Sequence, residues 1–264
     1  MNILLEAVGL NKKFNGNTTV LNNVCLKIRR GGIAALIGES GGGKTTLCRV
    51  FTGLEKASSG KVLFKGKELG TLRGRSFDDC ASLQYIFQDP YAALEEESTV
   101  SSVLQEPVNM CSRRGRDYMP PQEALTWAGL AGAAFLGRKI KTLSGGQRQR
   151  VSLARSLITR PDLIIADECT AMLDAQAAAE IGRIFKKLNQ KLGLSFLIVT
   201  HDAQFLYQVV DYIYVLHEGA IVEAGPKDRV LNIPSAGYTR EYMESMWEIE
   251  GGGLIEQDHL CQPQ

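Results

Sequence analysis

Residues 33–45 read Ile-Ala-Ala-Leu-Ile-Gly-Glu-Ser-Gly-Gly-Gly-Lys-Thr, and this stretch decides the fold. Its first five residues are an apolar run bounded by glycine on both sides, the pattern of a strand buried on both faces. Gly38-Glu39-Ser40-Gly41-Gly42-Gly43-Lys44-Thr45 follows and fits G-x-x-x-x-G-K-S/T, and a helical pattern runs on from Thr45 to about Leu54. Phosphate suits that order for three reasons. Glycines let the backbone wrap close to the oxygens with its N–H groups inward, the helix N-terminus adds a positive dipole end, and Lys44 brings a mobile charge to the β- and γ-phosphates. The Thr45 hydroxyl can ligate Mg²⁺. A flexible turn would also use glycines, but a strand before it and a helix after it make this a nucleotide site.

The flanking sequence extends the pattern. LIIAD (163–167) and FLIVTH (196–201) read as further buried strands, with a helix over 175–192 between them. Residues 3–30 read as an antiparallel hairpin sheet around Asn15-Gly16, residues 60–69 as strand and turn, and residues 212–224 as a hairpin around Glu218-Gly219. From Val100 to Leu157 the pattern is mostly helical, broken by the polar linker 113–122. Strands alternating with helices imply an α/β fold with a mainly parallel, doubly wound sheet, an N-terminal antiparallel part and a helical insert. The glycine-rich, polar tail from Gly251 is expected to fray.

Composition narrows the function classes. At 264 residues the chain is long enough for one or two domains with a sizeable core. Thirty Lys plus Arg against 29 Asp plus Glu leave a net charge of +1, so there is no electrostatic footprint for nucleic acid. The longest apolar runs fall far short of the roughly 20 residues of a membrane span. The start, MNILLEAVGLNKKF, lacks the features of a secretory signal, so the expectation is a cytoplasmic protein held at any membrane by a partner. The six cysteines are scattered without a C-x-x-C pair and read as reduced thiols.

Three further places carry chemistry. Asp167 ends a buried strand at the edge where parallel sheets bind ligands, and can hold Mg²⁺ through its water shell. Glu168 follows it, placed to polarise an attacking water. His201 ends the third strand; alone it reads as structural, and beside the other strand ends as a contact to the γ-phosphate. Leu143-Ser144-Gly145-Gly146-Gln147 precedes a helix from Arg148 to Leu157. Ser144 can cap that helix, and the two glycines let backbone amides face an anion.

GESGGGKTT, Gln88 in YIFQDP, LSGGQRQR, LIIADE, Leu173-Asp174 and THD (200–202) occur in the order found in ATP-binding cassette (ABC) ATPases. The resemblance runs from about residue 4 to 240. It implies a P-loop NTPase (RecA-like) fold in which 1–88 and 158–224 form the ATP-binding core, 89–157 a helical subdomain carrying LSGGQ, and 225–264 a partly flexible C-terminal extension, all in a single domain over 1–264. In that family two nucleotide domains pair head to tail, with each ATP between one P-loop and the other's LSGGQ. The resemblance therefore assigns ATP and Mg²⁺ to Gly38, Glu39, Ser40, Gly41, Gly42, Gly43, Lys44, Thr45 and Thr46. It makes Gln88 a contact to metal and attacking water, Asp167 a metal support, Glu168 the general base and His201 the γ-phosphate sensor. Ser144, Gly145, Gly146 and Gln147 would make contacts in trans, and Asp174 would link the two sites across the dimer. Phe14 matches the aromatic that stacks on adenine; a core strand residue is the other reading.

Tyr85 to Leu94 and Pro234-Ser-Ala-Gly-Tyr-Thr-Arg240 are similar to segments of the ATPases that drive peptide and nickel uptake in bacteria. This implies an importer subunit for a small peptide, nickel or a metal chelate, working with membrane permeases and a second ATPase on the cytoplasmic face of the inner (plasma) membrane. The ATPase of a soluble assembly such as the phosphonate-cleaving complex is the alternative. Three positions depart from the pattern. Cys169 stands where proline usually follows the glutamate, Glu95-Glu96-Glu97 replaces N-P-R, and Gly237 replaces the second proline of the tail element. The acidic triplet falls where a coupling helix of the permease docks in the family. It is read either as facing a basic coupling helix or as a solvated loop.

Overall fold

The computed structural model describes residues 2–14, 18–89 and 94–249. The Asn15-Gly16 turn, residues 90–93 of the Tyr85 to Leu94 segment and the tail from Gly251 lie outside the described residues. Two sheets form the frame. Strands β1 (Ile3–Lys13), β2 (Thr19–Arg29), β4 (Ser59–Phe64) and β5 (Lys67–Glu68) make an antiparallel sheet in the order β2-β1-β4-β5. The other sheet runs β10-β9-β3-β8-β7-β6, with β3 (Ile33–Ile37), β6 (Leu83–Ile86), β7 (Leu163–Asp167), β8 (Ser195–Val199) and β9 (Tyr212–His217) all parallel. Strand β10 (Ala220–Pro226) returns antiparallel to β9 through Glu218 and Gly219, whose φ values of 45° and 77° suit a tight hairpin turn.

Side chains of a strand alternate between faces, and the fully apolar strands serve two cores. Ile33, Ala35 and Ile37 of β3 pack among helices, together with Ile164 and Ala166 of β7 and Phe196 and Ile198 of β8. Ala34, Leu36, Leu163, Ile165 and Leu197 face the antiparallel sheet and helix α1 (Lys44–Thr52), meeting Leu47, Phe51 and Phe64. This two-sided burial is why LIIAD and IAALI lack a polar face.

Among the described residues the further α-helices are α2 (Phe77–Ser82), α3 (Val100–Arg113), α4 (Pro121–Trp127), α5 (Gly132–Leu136), α6 (Gly145–Ile158), α7 (Ala175–Leu192), α8 (Ala203–Val209), α9 (Lys227–Asn232) and α10 (Gly237–Ile249). Helices α3 to α6, between β6 and β7, form the helical insert expected near the middle of the chain. Residues 227–249, read from sequence as part of an extension, form two helices packed on the sheet side of β10.

Candidate functional site

Parallel pairing fixes where the chemistry goes. Because β3, β8, β7 and β6 run the same way and lie side by side, their C-terminal ends share one sheet edge. The phosphate loop leaves β3, His201 follows β8, Asp167 and Glu168 end β7, and Gln88 follows β6. Residues from four distant parts of the chain meet there.

The loop from Gly38 to Gly43 is shaped by close approach. A Cβ at Gly38, where φ is +141°, would lie 2.0 Å from the carbonyl oxygen of Leu216 on β9. One at Gly43, with φ +100°, would lie 2.7 Å from the carbonyl oxygen of Val20. Glycine is thus required at both ends of the turn. Gly43 caps α1 without a side-chain acceptor, so the first-turn N–H groups are left for an outside anion. Lys44 is the first residue of α1, and its Nζ donates to the carbonyl oxygens of Gly38 and Glu39, each at 2.7 Å. Burial lowers its pKa, while Glu168 and Asp167 pull it upward. The lysine is thus a charge near two carboxylates, poised on backbone acceptors it can leave. Thr45 and Thr46 follow, half-buried, and Ser40 and Gly41 are exposed.

Asp167 is 2% exposed. Its Oδ2 accepts a hydrogen bond from the Tyr85 hydroxyl at 2.6 Å, and its Oδ1 is buried with no hydrogen-bond partner. Burial and this carboxylate push the Tyr85 pKa up, so the phenol remains a donor. Tyr85 was not singled out in the sequence. Glu168 sits in a left-handed backbone conformation, φ 46°, rare for a residue with a side chain. Its N–H is held by the carbonyl of Val199, and its Oε2 accepts from Gln88 Nε2 at 2.6 Å. Gln88 and Glu168 therefore already touch across β6 and β7. His201 is exposed at the edge, past the end of β8.

An orphaned buried carboxylate oxygen beside a lysine and a helix N-terminus fits a divalent cation held together with phosphates. Mg²⁺ characteristically takes one or two carboxylates plus substrate oxygens. Among the described residues no group of three or more His, Cys, Asp or Glu is placed to hold a metal ion by itself.

The ABC transporter family model matches residues 21–171, more than half of the chain. The chain belongs to the ABC transporter family. A putative peptide import ATP-binding protein of Brucella ovis is 33% identical over 249 residues, covering 92% of this chain and 78% of that protein. The oligopeptide transport ATP-binding protein AppF of Bacillus subtilis is 30% identical over 257 residues, covering 96% of this chain and 78% of AppF. Among solved structures, cbiO1 of Clostridium perfringens, part of the ABC transporter complex cbiONQ, has a TM-score of 0.78 at 27% identity, covering 96% of this chain and all of that one (100%). A dimeric post-hydrolysis cassette bound to ADP and Pi, MJ0796, has a TM-score of 0.71 at 26% identity, covering 85% of this chain and 99% of that chain. The α/β P-loop fold expected from sequence is therefore the fold of this ABC family member.

The remaining residues of the ABC cassette lie away from this edge or at its rim. Ser144 is the N-cap of α6: its hydroxyl accepts from Gln147 N at 3.3 Å and the Gln147 side chain accepts from Ser144 N at 3.2 Å. This reciprocal capping box leaves the turn exposed at Ser144 and half-exposed at Gly145, Gly146 and Gln147. Asp174 caps α7 by accepting from Ala177 N at 2.8 Å and is also exposed. Phe14 is 43% exposed beyond the end of β1, with Lys12 Nζ 4.6 Å over its ring, so the core-strand reading of Phe14 does not hold.

The acidic triplet is exposed and makes ion pairs within the chain. Glu97 pairs with Lys141 at 2.7 Å and Lys139 at 3.2 Å, and Glu96 pairs at 3.2 Å with Arg148, whose side chain is 5% exposed. Glu95 accepts from Ser98 Oγ at 2.7 Å. Backbone bonds from Ile140 N to Ser98 O and from Lys141 N to Glu96 O complete the junction. Two of the three charges are thus paired inside the chain, while all three glutamates stay exposed. The cluster ties the segment after Gln88 to the helix that follows Ser144. Cys169 is buried, and burial pushes its thiol up to about 12, so it packs as a small neutral residue beside Gln149.

Proposed function

We propose that this chain is the ATP-hydrolysing subunit of an importer for small peptides, working through separate membrane permeases. The observation that carries the hydrolytic part is the sheet edge, where Lys44, Asp167, Glu168 and Gln88 arrive from three strands already in mutual contact or in charge range. The relatives named for peptide import support the cargo.

In this reading Lys44 leaves the Gly38 and Glu39 carbonyls for the β- and γ-phosphates, and the free amides of α1 receive the remaining oxygens. Thr45, Gln88 and the orphaned Oδ1 of Asp167 would hold the Mg²⁺, which would supply neutralisation of phosphate charge. Glu168 orients a water and takes its proton as the oxygen attacks the γ-phosphorus and ADP leaves. Gln88, bonded to Glu168 in this structure, holds that carboxylate at the edge. His201 contacts the γ-phosphate, and Phe14 offers an exposed ring to adenine. Ser144 and Asp174, both exposed, and the half-exposed Gly145 to Gln147 face a second ATPase subunit paired head to tail. The permease end is the cleft of about 300 Å³ between α2, β6 and α3, lined by Phe77, Tyr85, Phe87, Pro107 and Met110. Strand β6, which leads into Gln88, lines it through Gln84 and Tyr85, so loss of phosphate at the edge is felt there. Among the described residues no helix is long and apolar enough to cross a membrane, and attachment through this cleft gives a peripheral place on the cytoplasmic face.

Two variants of the full chain test the assignment. Glu168→Gln keeps Mg·ATP binding and loses turnover, whereas Lys44→Ala loses affinity by about tenfold or more, since a charge-assisted contact contributes about 1.5–3 kcal/mol. Hydrolysis by Glu168→Gln at the parental rate, or unchanged affinity of Lys44→Ala by calorimetry, would remove these roles.

A further inference from the structure

We propose that the C-terminal helix α10 grips the phosphate loop, and that Tyr242 takes over the Gly38 carbonyl when Lys44 leaves it for a phosphate. The proposal rests on the reading of residues 38–45 as the phosphate site. It gives the C-terminal element, which has no part in the site described so far, a defined task there.

The first two loop residues are held from outside the sheet. The Tyr242 hydroxyl donates to the Gly38 carbonyl at 3.1 Å, and Glu39 N donates to the Tyr238 hydroxyl at 3.0 Å. The two tyrosines lie one helical turn apart on α10 with rings nearly parallel, 5.9 Å between centroids. On its other face Tyr238 stacks on His217 of β9 at 3.7 Å, and His217 Nδ1 lies 3.0 Å from the Glu39 carboxylate. The start of α10 is fixed in turn by Glu223 of β10. This buried carboxylate accepts from Ser235 N and Oγ and from Ala236 N, and pairs with Arg229 at 3.3 Å. Four bonds on one carboxylate make a rigid anchor, so the tyrosines arrive at the loop without needing to be ordered by it.

The Gly38 carbonyl is where this matters. Gly38 is buried, and its oxygen receives both Lys44 Nζ and Tyr242 Oη. For Lys44 to reach a phosphate it must abandon that oxygen. A buried carbonyl left with no donor costs far more than the exchange of one hydrogen bond for another. Tyr242 stays behind and keeps the oxygen satisfied, while the Glu39 carbonyl keeps the Gly42 N–H, which donates to it at 3.2 Å. In the nucleotide-free chain Lys44 already serves Gly38, so the second donor is redundant there. The contribution of Tyr242 therefore falls on the bound state.

The test is Tyr242→Phe in the full chain, which removes one oxygen and keeps the ring. Calorimetric titration with Mg·ATP and with Mg·ADP gives affinities about tenfold weaker than the parent, because both ligands draw Lys44 to a β-phosphate. In steady-state hydrolysis KM for ATP rises by a similar factor while kcat is unchanged, the mark of lost binding shared by ground and transition states. The nucleotide-free melting temperature stays close to the parental value. Parental affinity in the variant would overturn the proposal. So would a lower nucleotide-free melting temperature with an unchanged nucleotide-induced rise, since that is what a purely structural contact gives. A parent chain that bound no Mg·ATP would instead overturn the phosphate-site reading beneath it.

Discussion

Asp167 and Tyr85 allow a stability prediction that isolates one contact. One oxygen of this buried carboxylate takes the Tyr85 hydroxyl at 2.6 Å and the other has no donor. Tyr85→Phe removes the donor and leaves the ring, whose edge contact with Phe87 at 4.6 Å between centroids is retained. A hydrogen bond to a charged group contributes about 1.5–3 kcal/mol net, so the nucleotide-free chain should lose about 2 kcal/mol. For a chain of this size that is a fall of roughly 4–8 °C in melting temperature. Urea unfolding of the parent, Tyr85→Phe, Asp167→Asn and the double variant completes a cycle. With a neutral amide as partner the same tyrosine substitution should cost only about 1 kcal/mol. Saturating Mg·ATP should stabilise Tyr85→Phe more than it stabilises the parent, because a cation beside Asp167 replaces the missing donor. An equal cost in the aspartate and asparagine backgrounds, or a cost below about 0.5 kcal/mol in the parent, would refute the reasoning.

Two more outcomes follow from paired carboxylates. Buried Glu223 bears a strong desolvation penalty, yet the donors from Ser235 and Ala236 overcome it and hold its pKa at about 2, below the ordinary 4.5. Its stabilising contribution is present in full above the unfolded value and is lost as pH falls through about 4.5 towards 2, so Glu223→Gln should cost about 3 kcal/mol at pH 7 and much less near pH 3. Urea midpoints at the two pH values check this, and a difference independent of pH would contradict it. Replacing Glu95, Glu96 and Glu97 together by Lys should lower the melting temperature of the isolated chain, because Arg148, Lys139 and Lys141 lose their partners and face like charges. Unchanged stability with transport lost in the assembled importer would return the triplet to the permease interface.

What could be read in advance depended on how local the cause was. IAALI and LIIAD are short apolar runs closed by a turn or an acid, and nothing but a strand buried on both faces explains them. Strand β6 gave no such signal. Leu83 and Ile86 are buried but Gln84 and Tyr85 between them are half-buried, and the segment becomes a strand by pairing with β7, some 80 residues away. Tyr85 went unnoticed for the same reason, since its role exists only once β6 and β7 are neighbours. The tail element around Tyr238 was visible as a pattern, but its targets, Glu39 and Gly38, lie 199 and 204 residues from the tyrosines that reach them. No window of sequence carries that information.

The acidic triplet shows the same limit acting on electrostatics. A run of three glutamates reads as a charged surface because the eye sums neighbours along the chain. The field at Glu96 and Glu97 is set instead by Lys139, Lys141 and Arg148, 42 to 52 residues later. Arg148 is the deciding member. A nearly buried guanidinium bonded to the Leu143 carbonyl at 3.4 Å is helped by a carboxylate close by, and Glu96 supplies one. The departure from the family pattern at 95–97 therefore reaches the helix that begins at Ser144. A change at either end of that pair should alter how the turn at Ser144 to Gln147 is presented to a second subunit, even though no glutamate of the triplet lies in the turn.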